Sequence, residues 1–175
     1  MKRELVRCVV DTNVAVTANG ANGDASAACV AASARALQHV MERGHVFIDP
    51  AGHIVEEYRN NLAPHGEPRP GNVFLKWLLT HEWGGARVTR VALTLKADDP
   101  ERFEELPPPP AGVQFDPSDL KFLAVAAAHG EHPPILQALD SKWWGWKEAL
   151  QKSGVSIEFL CPAEIARKYA EKMGP

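Results

Sequence analysis

The feature that most constrains the fold is a short apolar run that ends abruptly in polar residues near the start of the chain. Cys8-Val9-Val10 is small and β-branched, which is typical of a strand buried on both faces of a parallel sheet, and Asp11 follows directly. In open parallel α/β sheets, ligands bind beyond the carboxyl ends of the strands. The run therefore predicts a central strand that carries a carboxylate at the functional edge.

The rest of the chain alternates strand-like and helix-like segments. Strands are predicted over residues 4–10, 45–49, 87–93, 134–139 and 155–160, and helices over residues 26–44, 50–62, 73–81, 120–129, 143–152 and 162–172. Such alternation is typical of a parallel sheet with helices on both faces. The predicted fold class is therefore α/β, a three-layer α/β/α sandwich with a parallel sheet of about five strands.

One domain over residues 1–175 is expected from the length of the chain. Two segments within it are rich in turn residues: 17–25 contains Asn-Gly pairs, and 94–114 contains the Pro107–Pro110 run. We predict that both are insertions at the rim of the domain. The second should have a stiff, partly polyproline geometry.

Composition limits the compartment and the partners. The net charge of −3 does not by itself indicate a nucleic-acid-binding protein, although a carboxylate site lowers the charge of the protein that carries it. Cys8, Cys29 and Cys161 are odd in number and lack Cys-x-x-Cys spacing, so reduced thiols are expected in place of a disulfide framework or a zinc site. Without a signal region or a membrane-length apolar run, a cytoplasmic protein with no membrane partner is predicted.

Four carboxylates fall at comparable places in the predicted fold. Asp11 follows the first strand, Glu57 lies in the helix after the second, Asp119 opens a helix, and Asp140 follows the fourth strand. Carboxylate oxygens are the ligands that Mg²⁺ and Mn²⁺ prefer. Two such ions about 3.5–4 Å apart can promote phosphodiester cleavage, and four acids at one edge repel each other unless cations are present.

Each acid also has a structural interpretation. Glu56 competes with Glu57 for the second position, although Glu57 lies nearer the apolar stripe of its helix. Asp116 precedes a proline and makes a natural N-cap, which leaves Asp119 to point at the site. Asp140 can equally cap the helix that follows it.

Four segments together resemble the PIN-domain ribonuclease family. In chain order they are Val9-Val10-Asp11-Thr12-Asn13-Val14, Val55-Glu56-Glu57-Tyr58-Arg59-Asn60-Asn61-Leu62, Asp116-Pro117-Ser118-Asp119-Leu120-Lys121-Phe122-Leu123-Ala124-Val125-Ala126 and Leu139-Asp140-Ser141. The resemblance covers roughly residues 5–160. It implies a metal-dependent endonuclease that hydrolyses phosphodiester bonds of single-stranded RNA.

The resemblance also implies roles for individual residues. Its catalytic acids would be Asp11, Glu57, Asp119 and Asp140, of which the three aspartates would hold Mg²⁺ or Mn²⁺. Supporting polar groups would come from Thr12, Asn13 and Ser141. Many members carry a further acid where this chain has Lys142, which affects the second metal position. Members are often toxins paired with an antitoxin protein, or RNA-processing nucleases, and a homodimer is plausible.

A segment of aromatic and basic residues follows the fourth acid. Lys142, Trp143 and Lys147 are predicted RNA contacts, because aromatic rings stack on unpaired bases and lysines meet phosphates. Core packing is the alternative for at least one of the three tryptophans, since consecutive helical positions cannot all face outward.

Two other functions remain as alternatives. A phosphatase of the haloacid-dehalogenase type also has an aspartate after its first strand, but it normally has a second aspartate where this chain has Asn13. A catalytically silent PIN-fold module that binds RNA or protein is favoured by Lys142 and opposed by the four intact acids.

Overall fold

A computed structural model describes residues 6–109 and 111–174. Within these residues, the strands are β1 Arg7–Val10, β2 His45–Ile48, β3 Val88–Arg90, β4 Leu95–Lys96, β5 Asp99–Phe103, β6 Ile135–Gln137 and β7 Ile157–Phe159. The α-helices are α1 Thr12–Ala18, α2 Ala27–Arg43, α3 His53–Asn61, α4 Pro70–His81, α5 Leu120–Ala128, α6 Ser141–Lys152 and α7 Pro162–Met173, and a 3₁₀ turn spans Pro117–Asp119. Residues 4 and 5 of the predicted first strand and Pro110 of the predicted insertion lie outside the described residues.

Five of these strands form one parallel sheet in the order β3-β2-β1-β6-β7. Cys8 of β1 lies opposite Val46 of β2, and Val10 lies opposite Leu136 of β6. The helices cover the sheet, which confirms the predicted three-layer α/β/α sandwich. Val9, Val10, Phe47 and Ile135 are fully buried, as expected for strands covered on both faces.

The strand order places a switch point between β1 and β6. From β1 the chain builds outward through β2 to β3 on one side, and through β6 to β7 on the other. Beyond the carboxyl ends of two such strands, a crevice opens that is the usual ligand site of an open α/β sheet. Asp11 directly follows β1 at this point.

The first helix was not foreseen from the sequence. Thr12–Ala18 forms α1, so Thr17 and Ala18 belong to a helix and not to the predicted insertion at 17–25. β-Branched residues such as Val14 and Thr17 have low helix propensity. Both are fully buried here, so tertiary packing outweighs the local preference.

The prediction of stiff geometry across 94–114 is wrong for residues 95–103. There β4 and β5 form an antiparallel pair with Leu95 opposite Phe103. Next to the open end of this hairpin, the backbone N–H of Thr94 donates to the carboxylate of Glu105. The prolines that suggested a polyproline segment lie mostly after the hairpin. Whether this segment and 19–25 are insertions stays a prediction.

The prediction of three reduced cysteines is also wrong. Cys29 and Cys161 are joined by a disulfide bond, and Cys8 is a buried thiol. The two partners are 132 residues apart in sequence, but the first turns of α2 and α7 meet, where Glu164 accepts hydrogen bonds from Ser26. Sequence separation therefore gave no indication of their proximity. In the described ranges, no helix has the length and apolar character needed to cross a membrane.

Candidate functional site

Asp11 lies directly after β1 at the switch point of the sheet and is almost completely buried, with 4% of its surface exposed. Its Oδ2 accepts a hydrogen bond of 3.0 Å from Gln137 Nε2, and its Oδ1 lies 3.5 Å from the backbone N of Asn13. Burial and the neighbouring charge of Asp119 raise the pKa of Asp11 to about 7, although the Gln137 bond opposes the rise. The carboxylate is thus held in place but poorly neutralised.

Asp116 is the N-cap that the sequence predicted, and Asp119 is buried. Asp116 caps the 3₁₀ turn, accepting from the backbone N and the hydroxyl of Ser118 at 3.0 and 2.8 Å. These bonds lower the pKa of Asp116 to about 2. Asp119 is only 5% exposed, and burial raises its pKa to about 6 even though Lys142 lowers it.

Asp140 occupies the position before α6, but in the described structure its side chain makes no capping hydrogen bond. It instead faces Lys142. The Lys142 Nζ lies 2.7 Å from Asp119 Oδ2, 3.1 Å from Asp116 Oδ2 and 3.3 Å from Asp140 Oδ2. Burial disfavours the ammonium, but the three carboxylates outweigh that effect and raise the pKa of Lys142. One lysine therefore bridges three of the acids.

Glu57 lies near enough to Asp11 for its charge to contribute to the raised pKa of Asp11. It is partly buried and forms an ion pair with Lys121 of α5. Glu56 is exposed to solvent. The geometry therefore favours Glu57 over Glu56 as the second acid. Asp49, which also follows a strand, is used differently, since it caps α3 by accepting from the backbone N of His53 and Ile54.

The supporting polar residues connect the two central strands. The Asn13 side-chain oxygen accepts a 2.7 Å hydrogen bond from the backbone N of Leu139, so the end of β1 is tied to the segment that carries Asp140. Ser141 is buried beside it. The Thr12 hydroxyl is buried and has no hydrogen-bond partner among the described residues.

The three predicted RNA contacts lie in different surroundings. Trp143 is fully buried, with its ring 5.5 Å from that of Trp146, so its prediction as an RNA contact is wrong. Lys147 lies over the ring of Trp144 at 3.9 Å. Lys142 is bound to the acids. Trp143 and Trp146 are thus the buried tryptophans of α6, which confirms core packing for at least one of the three.

The oxygen atoms at this edge are of the kind that binds a divalent cation, but a lysine ammonium lies between three of the carboxylates. Asp11, Asp119 and Asp140 offer hard oxygen ligands, and the partnerless Thr12 hydroxyl points to a missing polar contact. Among the described residues, no group of three or more His, Cys, Asp or Glu side chains is arranged to hold a metal ion. The Lys142 ammonium occupies the space between the carboxylates, so a metal ion has to displace it.

Two residues of the site were missed from the sequence. Gln137 is fully buried and orients Asp11; its signal was an amide inside the apolar run Ile135-Leu136-Gln137-Ala138-Leu139. Lys121, which pairs with Glu57, had no signal beyond its place in the first turn of α5.

Comparison of the chain with models of protein families, with curated proteins and with solved structures returned no match. The family resemblance of the four acidic segments therefore stays a prediction. What can be argued about function rests on the geometry of the crevice.

Proposed function

We propose that this protein is a metal-dependent endoribonuclease that hydrolyses phosphodiester bonds of single-stranded RNA. The observation that carries the proposal is the convergence of Asp11, Asp119 and Asp140 at the switch point of the sheet. Five carboxylates lie in or beside this cluster, and two lysines pair with them: the acids are Asp11, Glu57, Asp116, Asp119 and Asp140, and the lysines are Lys121 and Lys142. The surplus of negative charge suits a cation.

In the proposed enzyme, Asp11, Asp119 and Asp140 hold Mg²⁺ or Mn²⁺. A divalent cation bound there supplies Lewis-acid polarisation of the phosphodiester and lowers the pKa of water. Gln137 keeps the Asp11 carboxylate oriented, and Asn13 keeps the Asp140 segment close to β1. Glu57, held by Lys121, is the fourth catalytic acid.

The resemblance to PIN-domain ribonucleases supports this reaction class. A toxin with a protein antitoxin, an RNA-processing nuclease and a homodimer are forms that the proposed enzyme can take. Cytoplasmic location also stays a prediction. The Cys29–Cys161 disulfide counts against it, because disulfides are rare in reducing compartments.

RNA cleavage tests the proposal. Wild-type protein, Asp11→Asn and Asp119→Asn are incubated with structured and unstructured RNA in Mg²⁺, Mn²⁺ or EDTA. We expect the wild type to cut unstructured RNA only with a divalent ion, and both variants to lose at least about 100-fold in rate, the usual scale for such groups. Asp98→Asn, an exposed position in the β4–β5 turn, serves as the matched control. Cleavage that persists in EDTA and in both variants would contradict the proposal.

A catalytically silent module is the second candidate, and the position of Lys142 among three acids favours it. Calorimetric titration with Mn²⁺ separates the two, because a silent module should show no binding that depends on Asp11 or Asp119. The phosphatase alternative loses support, since the Asn13 side chain is engaged with the backbone of Leu139 and does not offer an acid.

A further inference from the structure

A polar cavity of about 360 Å³ adjoins the acidic site and has no role in the proposed chemistry. Its polar lining comes from the first turn of α1, the loop after α1, the start of α6 with the residue before it, and the face of α7; these residues are Asn13, Asn22, Asp140, Ser141, Lys168 and Lys172. Three of them, Asn13, Asp140 and Ser141, also belong to the candidate site. The cavity therefore shares part of its lining with the candidate site.

Two lysines of α7 give this cavity its positive charge. Lys168 Nζ donates to the backbone O of Leu139 at 3.3 Å, directly before Asp140. Lys172 lies four residues later and so on the same face of the helix. Lys168 also lies 3.4 Å from Asp24, but the Asp24 side chain is 76% exposed, and water screens such a pair strongly. The Asp24 pair is therefore weak and leaves the Lys168 ammonium available to another anion.

The acidic residues of α7 are engaged elsewhere. Glu164 accepts from the backbone N and the hydroxyl of Ser26 at 2.8 and 2.6 Å, and Glu171 lies 4.0 Å from Arg167. Asp140 is the carboxylate in the cavity lining, and it shares Lys142, 3.3 Å away, with Asp116 and Asp119. The charge of Glu164 still interacts with Lys168, but in the described residues no ion pair joins Lys168 or Lys172 to an acid of α7.

The position of α7 is fixed by covalent and packing contacts. Cys161, directly before the helix, is bonded to Cys29 of α2. Ile165 is fully buried and packs with Leu139 and the two cysteines. The same small cluster that holds α7 therefore holds the residue before Asp140, so Lys168 keeps a constant relation to the site.

We propose that this cavity binds a backbone phosphate of the RNA strand, next to the phosphodiester that is cut. The inference rests on the proposed function and adds to it the path of the substrate. Lysine ammonium groups bind phosphate as point charges. Asn13 uses its side-chain oxygen for Leu139, which leaves its NH₂ group as a further donor. Such contacts fix the register of a nucleic acid without reading its sequence.

Binding of a fluorescein-labelled ten-nucleotide RNA, measured by anisotropy in EDTA over a range of KCl concentrations, tests the proposal. For single strands, log K falls with log salt by about 0.7 for each phosphate contact. We expect Lys168→Ala to reduce the magnitude of this slope by about 0.7 and the Lys168→Ala, Lys172→Ala double variant to reduce it by about 1.4. Lys168→Arg should keep the slope of the wild type.

Lys152→Ala is the matched control. Lys152 is exposed in the last turn of α6, about 18 Å along the helix from Asp140 at 1.5 Å per residue. It should leave the slope unchanged. Thermal unfolding of every variant shows whether a loss of binding reflects a loss of fold, and a variant that has unfolded is replaced by Lys168→Gln.

The possible outcomes distinguish a failure of the cavity proposal from a failure of the proposed nuclease function. An unchanged slope in the double variant, with metal-dependent cleavage that Asp11→Asn abolishes, would overturn the cavity proposal and leave the proposed function standing. A reduced slope without any cleavage would support the phosphate site and contradict the nuclease. The last experiment is a titration with inorganic phosphate. If the double variant no longer binds phosphate but keeps the RNA affinity of the wild type, the cavity is a site for free phosphate. That result would overturn the RNA proposal.

Discussion

Replacing Asp11 by asparagine should stabilise the metal-free protein at alkaline pH, although it removes a central residue of the candidate site. Burial and the charge of Asp119 raise the pKa of Asp11 from its ordinary 3.8 to about 7. One pKa unit corresponds to about 1.4 kcal/mol, so keeping Asp11 ionised in the folded protein costs about 4 kcal/mol relative to the unfolded chain. Asparagine carries no charge and avoids this cost.

The pH window follows from the direction of the change in pKa. Because the pKa of folded Asp11 lies above that of the unfolded chain, the unfolded chain loses this proton first as the pH rises. Wild-type stability therefore falls between about pH 4 and about pH 7. Asp119, with a pKa raised to about 6, acts in the same direction but is present in both proteins. Asparagine also offers Gln137 a poorer partner, a loss of about 1 kcal/mol.

The expected net gain is about 3 kcal/mol at pH 8, and it turns into a loss of about 1 kcal/mol below pH 4, where only the poorer bond to Gln137 remains. Urea unfolding in EDTA at intervals from pH 4 to pH 8 measures it. The exposed Asp98→Asn variant should follow the wild-type profile throughout. If Asp11→Asn instead shows the same fall in unfolding free energy between pH 4 and pH 7 as the wild type, the reasoning about the buried charge is refuted.

Three further changes should have measurable effects. Lys142→Met should lower the stability of the metal-free protein by about 2 kcal/mol, because three carboxylates lose a charged partner. It should also tighten Mn²⁺ binding in calorimetry, and weaker binding would contradict the argument that a metal ion has to displace Lys142. Gln137→Met should raise the pKa of Asp11 further, because a hydrogen bond to the charged form is lost. NMR titration of the Asp11 carboxyl measures this pKa, and an unchanged pKa in the variant would refute the prediction. Reducing Cys29–Cys161 should lower stability by about 2–5 kcal/mol, given the long loop it closes; equal urea midpoints with and without reductant would refute this.

The parallel sheet could be predicted because its central strands are short apolar runs, each followed by a polar group at one edge. Val9 and Val10 lead to Asp11, and Ile135 and Leu136 lead towards Asp140. Fully buried strands leave this signature whatever surrounds them. The meeting of these acids at one edge then followed from the topology, because the carboxyl ends of parallel strands lie at the same edge of the sheet.

What the sequence did not reveal depends on tertiary contacts. Helix α1 forms against local propensity because the fold buries Val14 and Thr17. The disulfide requires that α2 and α7 meet, which no spacing between Cys29 and Cys161 could indicate. The sequence marked Lys142 as a departure from the pattern of the family that the chain resembles, but only the structure shows that its ammonium reaches three carboxylates.

The central claim, that the acids at the switch point hold a catalytic metal, is tested most directly by locating Mn²⁺ in crystals by anomalous scattering. We predict an anomalous peak bound by the carboxylates of Asp11, Asp119 and Asp140, with the Lys142 ammonium moved out of the space between them. A saturating soak that leaves this edge without a peak, and Lys142 still bridging the acids, would contradict the claim.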